Sequence, residues 1–228
     1  MKFEALHGWD VGLDEARRIQ ERLAAQVSRQ DEPEVPRFIA GVDVSAGRGQ
    51  KVGTAAVVVL SYPELNIAEV RIVRGELGYP YIPGFLSFRE MPLVLKAFEK
   101  LEIRPDFVIV DGQGIAHPRR LGIGSHLGLF LDTPTIGCAK SRLCGTYEVP
   151  PDIPGSYAQV SDRGEIIATV LRTKARVKPV FVSIGHKVSL KRATHLVLSC
   201  CHGYRLPETT RLAHLAAGGH LASVKPLK

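Results

Sequence analysis

Three apolar runs, 37–44, 53–61 and 66–74, follow one another with only tight turns between them, and this spacing restricts the fold more than any other feature. Their Val- and Ile-rich character reads as strand. The separators, Ala46-Gly-Arg-Gly49 and Tyr62-Pro-Glu-Leu-Asn66, are too short for a crossover, so the three form an antiparallel meander. The pattern then changes to alternation: helix over 87–102, strand over 106–111, helix over 119–131, strand over 134–138. A hairpin is expected over 158–184, with helices over 189–202 and 207–217. Ahead of the meander, Leu13, Ala16, Ile19 and Leu23 recur at helical spacing and predict a helix over 12–30. The segment Asp31-Glu-Pro-Glu-Val-Pro36 links it to the first strand. The expected architecture is α/β: a mixed five-stranded sheet, antiparallel meander then parallel strands, flanked by helices, with an extra hairpin.

A chain of 228 residues can bury roughly 70 % of its unfolded surface, so neither disulfides nor a structural metal are required to hold it. Its charge, +7 from 30 basic and 23 acidic residues, favours a polyanionic partner. Cys138, Cys144, Cys200 and Cys201 show no CxxC spacing and read as reduced core thiols of a cytoplasmic protein. No apolar stretch reaches the ~18 residues of a membrane span, and no signal-peptide layout opens the chain.

Acids stand at the edges of the apolar segments. Asp43 closes Phe38-Ile-Ala-Gly-Val-Asp43 and Asp111 closes Phe107-Val-Ile-Val-Asp111. A carboxylate ending a buried run is costly to desolvate without a positive neighbour. If the two strands adjoin, the acids repel, and a divalent cation removes the conflict. Each acid could equally cap a strand end. Glu90 fits two readings: Ser87-Phe-Arg-Glu90 matches a capping box, whereas a helix starting near Met91, with Pro92 in its first turn, frees Glu90 for a site. Pro80-Tyr-Ile-Pro83 is either a stiff apolar tip able to enter a base stack or a buried anchor. In Asp111-Gly-Gln-Gly-Ile-Ala-His-Pro-Arg119, Gly112 and Gly114 permit close approach to a planar ligand. No GxGxxG fingerprint follows that strand. His214, on an amphipathic helix, is a packing or a catalytic residue; Lys140, Ser141 and Arg142 follow a strand in a loop.

Five segments in register resemble the endonuclease V family of the ribonuclease H-like superfamily. They are Gly41-Val-Asp43-Val-Ser45, the run from Pro80 through Glu90, Asp111 through Arg119, Ala139 through Leu143, and the helix carrying His214. The resemblance spans residues 10 to 217, leaving 218–228 as a loose tail. Ala46 departs from it, since many relatives carry an aromatic after Ser45.

The resemblance implies a catalytic centre of Asp43, Glu90, Asp111, His214 and Lys140, with Asp43 and Asp111 holding magnesium, for which manganese substitutes. It implies that Pro80, Tyr81, Ile82 and Pro83 form a strand-separating wedge, with Gly84 and Leu86 also binding substrate. Gly112, Gly114, His117, Ile123 and Leu143 would complete a base pocket. The implied protein is a cytoplasmic, monomeric DNA-repair endonuclease that cuts at the second phosphodiester 3′ to inosine. Its partner is inosine-containing DNA, with inosine-containing single-stranded RNA as the other target. Another ribonuclease H-like nuclease, or a non-catalytic nucleic-acid-binding protein, is the alternative.

Overall fold

The computed structural model describes residues 1, 3–32, 35–46 and 49–222. Its elements are α1 (Leu13–Ala24), β1 (Phe38–Ser45), β2 (Val52–Ser61), β3 (Ile67–Glu76), α2 (Leu86–Glu99), β4 (Phe107–Val110), α3 (Ile123–Leu131) and β5 (Thr135–Ala139). The short β6 (Thr146–Tyr147) then leads to β7 (Tyr157–Asp162), β8 (Glu165–Leu171), β9 (Val180–His186), α4 (Leu190–Ser199) and α5 (Glu208–Ala217).

The expected core stands as β3-β2-β1-β4-β5: an antiparallel meander with β4 parallel to β1 and β5 parallel to β4. The sheet does not stop there. β9, β8, β7 and β6 extend it antiparallel beyond β5, giving nine strands among the described residues. The expected hairpin over 158–184 is therefore three strands of that extension, turning at Arg163 and Gly164, both at positive φ. Several helices are shorter than expected; α2 ends at Glu99 and α4 spans only Leu190–Ser199. α1 ends at Ala24, and α3 starts only at Ile123 because Arg120 occupies the left-handed region. Residues 33–34 of the linker, 47–48 of the first turn and 223–228 of the tail lie outside the described residues.

The central strands are buried on both faces, so Ala55–Leu60 and Phe107–Val110 read as unbroken apolar runs. One face is covered by α4 and α5, whose Ala193, Leu196, Ala213 and Ala216 pack with Ile39, Ile109 and Ile136. The other is covered by α2 and α3, where Leu93, Val94, Phe98 and Leu127 meet Ala40, Val57 and Val108. α5 lies unusually close to the sheet: a Cβ on Gly41 would stand 2.0 Å from the Thr209 carbonyl oxygen. No helix among the described residues is long and apolar enough to cross a membrane.

Candidate active site

Asp43 and Asp111 are neighbours because β1 and β4 are. Val42 faces Val110 in parallel register, and the Asp111 amide donates to the Val42 carbonyl at 3.1 Å. Both carboxylates emerge at the edge where these strands end, with side-chain exposures of only 13 % and 10 %. α5 brings His214 over this edge, and its Nδ1 lies 2.7 Å from Asp43 Oδ2. A carboxylate accepts only, so Nδ1 is the donor, and Nε2 makes no hydrogen bond among the described residues. Lys140, just past β5, places its Nζ on Asp111 Oδ2.

Glu90 completes the group from α2. The helix starts at Leu86 with Phe85 as N-cap and no side-chain cap. Both alternatives for this segment therefore fail. Ser87 is inside the first turn, its buried hydroxyl without a partner among the described residues, and Pro92 sits within the helix rather than near its start. Glu90 is thus carried one turn inside, recessed among like charges. Burial, then the charges of Asp43 and Asp111, push its carboxyl up to about 8, against the opposing pull of Arg89. Burial and Asp43 also raise the Asp111 carboxyl, which Lys140 and His214 pull back.

This donor set fits a magnesium ion. The described residues hold no cluster of three or more His, Cys, Asp and Glu able to enclose a metal. Two adjacent, poorly solvated carboxylates suit a cation that takes one or two carboxylates and fills its shell with water and phosphate oxygens.

Beside the acids opens a cavity of about 270 Å³. Tyr81, Ile82, Pro83, Gly84, Leu86, Gly112, His117, Ile123 and Leu143 line it, as do Asp111 and Lys140. Two expected members do not. Pro80 is exposed at the stem of its loop, and Gly114 packs against β9, where a Cβ would stand 2.0 Å from the Ile184 carbonyl oxygen. The Tyr-Ile tip divides: Tyr81 is 64 % exposed, whereas Ile82 packs on the cluster of Ile19, Leu23 and Phe88.

Three residues that the motifs left without a role hold this loop. The Gly84 carbonyl, at a residue with φ +81, accepts from Gln20 Nε2 at 2.9 Å, Arg119 NH2 at 2.9 Å and His117 Nε2 at 3.0 Å. Arg119 Nε donates to Gln20 Oε1 at 2.6 Å, and its guanidinium lies 4.4 Å over the Phe85 ring. Arg89 ties the loop stem to the β1–β2 connection, donating to the Tyr79 and Gln50 carbonyls, each at 2.7 Å. His117 Nδ1 accepts from the Arg119 amide, so both its nitrogens are engaged. Burial lowers it to about 4 and keeps it neutral. A signal existed for Gln20, an amide on the apolar stripe of α1, because such a residue needs a buried partner.

The sequence profile of the endonuclease V family matches residues 21–215. The endonuclease V of Dehalococcoides mccartyi strain CBDB1 is 53 % identical over 95 % of this chain and 97 % of its own. The structure of Streptomyces avermitilis endonuclease V superposes with a TM-score of 0.87 at 40 % identity, covering 93 % of this chain and 94 % of the other. That of Ciona intestinalis endonuclease V, in complex with a 24mer DNA containing an inosine followed by a ribo-adenosine, gives 0.79 at 28 % identity, covering 91 % and 96 %.

Proposed function

The chain belongs to the endonuclease V family, and from that membership we propose a magnesium-dependent endonuclease that cuts nucleic acid at the second phosphodiester 3′ to a deaminated adenine, acting in DNA repair. One observation carries the reading: two carboxylates stand on adjoining parallel strand ends, faced by His214 and Lys140, and one of them, Asp111, lines with Lys140 a cavity large enough for a single base. Asp43 and Asp111 would hold the magnesium, which when bound supplies charge neutralisation and Lewis-acid polarisation of the phosphate. His214 Nε2, its ring oriented by Asp43, is the free acceptor for a proton from the attacking water. The Lys140 ammonium brings positive charge to the scissile phosphate. Glu90, largely protonated at neutral pH without metal, adds a third oxygen donor once the cation offsets its neighbours. The Pro80–Pro83 loop would enter the stack beside the lesion, with Tyr81 filling the gap left by the extruded base.

Hypoxanthine presents an N1–H donor and an O6 acceptor where adenine presents an N1 acceptor and an amino donor. Backbone groups around Gly112 that satisfy the first would be left unpaired by the second, at about 1–3 kcal/mol for each buried group. The test is nicking of matched DNA and RNA oligonucleotides carrying one inosine, with and without magnesium. Wild type is expected to cut only inosine strands and only with the ion. Asp43→Ala and Asp111→Ala are expected to lose at least about a hundredfold in rate, since several kcal/mol of charge stabilisation go with the ion. Near wild-type rates in either variant would remove the metal assignment.

A further inference from the structure

The sheet edge that carries the acids continues past them. Ala139 pairs with Phe181, Val180 with Leu171, and Leu171 with Tyr157, so β5 and β8 end, and β9 and β7 begin, on the side where β1 and β4 end. The β8–β9 connection, Arg172-Thr-Lys174-Ala-Arg176-Val-Lys178-Pro179, therefore lies along this edge, with four basic residues and no acid. Arg205, from the α4–α5 loop, joins it to the site. Its guanidinium donates to the Lys140 carbonyl at 2.6 Å, to Lys178 at 2.8 Å and to Pro179 at 3.0 Å. The Thr173 hydroxyl donates to the Arg205 carbonyl at 2.6 Å. Arg172 turns inward, bonding the Val177 carbonyl and pairing with Asp152 at 3.3 Å. Lys174, Arg176 and Lys178 turn outward, exposed and without a side-chain ion pair among the described residues. The nearby carboxylate, Asp152, is engaged by Arg172 and by the Arg176 amide.

We propose that Lys174, Arg176 and Lys178 form a phosphate track for the nucleic-acid strand leaving the cut on its 3′ side. The direction rests on the function proposed above. The base cavity opens toward the α2 and α3 face, whereas the Arg205 loop belongs to the α4 and α5 face. A strand whose lesion enters the cavity and whose 3′ phosphate lies on the acids has crossed the sheet edge. Its continuation emerges beside Lys140 and Arg205. From β5 to β8 the edge spans two strand spacings, about 10 Å. The inward bonds of Arg172, Thr173 and Arg205 hold the loop in place before nucleic acid arrives.

The test uses the triple variant Lys174→Ser/Arg176→Asn/Lys178→Ser, with Asn at the left-handed position of Arg176 (φ +60). Binding is measured by fluorescence anisotropy in calcium on inosine duplexes extended on either the 3′ or the 5′ side of the lesion, and on unmodified duplex, across a salt series. In wild type a longer 3′ extension is expected to tighten binding about tenfold. In the variant the gain should fall below about twofold, and the log–log salt slope should shrink by about 2.7 for three lost phosphate contacts. An unchanged gain and slope would overturn the track, and so would a loss confined to 5′ extensions. Loss on unmodified duplex upholds the basic path even if wild type fails to nick inosine, an outcome that overturns the functional reading alone. Should the triple variant unfold at lower temperature, Lys174→Ser and Lys178→Ser singly are expected to reduce the slope by about 0.9 each.

Discussion

At the scale of single residues, Glu90 shows how the site holds more negative charge than its surroundings can solvate. Its carboxyl is pushed up to about 8 by burial and by Asp43 and Asp111, against an ordinary value near 4.5 in the unfolded chain. Between those values the folded protein binds the extra proton, so the contribution of Glu90 to metal-free stability falls as pH rises from about 4.5 to 8. Glu90→Gln is expected to remove up to about 1.4 kcal/mol per pH unit of that decline, read as the difference between variant and wild-type urea midpoints across the window. Equal slopes in the two proteins would show that Glu90 is ionised throughout. The acids themselves were legible in the sequence because each closes an apolar run. Glu90's position was not, because helix starts depend on loop geometry: the turn at Gly84, bound by three donors from distant segments, launches α2 at Leu86.

At the scale of elements, the seating of α5 decides whether His214 reaches Asp43. Gly41, two residues before Asp43, lets the Thr209 backbone rest directly on β1. Gly41→Ala would drive a methyl group into that carbonyl and lift the helix. Overpacking of this kind costs about 1–3 kcal/mol, and displacing the imidazole is expected to slow nicking about a hundredfold while inosine-strand binding in calcium changes little. Both are measurable, by thermal unfolding and single-turnover rates; full activity would mean that His214 does not act through its present position. The meander and the parallel strands were visible in the sequence because each turn is local. β6 was not, as two residues carry no periodicity, and the extension beyond β5 was read as a separate hairpin because pairing between β5 and β9 is a long-range choice.

At the scale of the molecule, buried imidazoles make the fold sensitive to acid. His7 and His126 face each other through their Nε2 atoms at 2.8 Å, with room for one proton between them. Burial lowers both, together with His117 and His186. Because their folded values lie below 6.5, the unfolded chain binds more protons as pH falls toward about 4, and stability is lost on acidification. The thermal midpoint is therefore expected to rise between pH 5 and about 6.5, where four histidines outweigh the two raised acids. A midpoint that falls over that range would place charged imidazole inside the fold.

The sheet stands between two tasks. The cavity lies with α2 and α3, and the His214 imidazole lies with α5 on the opposite face. The two meet only at a row of strand ends. On the function proposed above, substitutions that reshape the cavity would drift without disturbing the hydrolytic side, so descendants of such a chain would broaden or narrow the lesions they accept while inheriting the same chemistry intact.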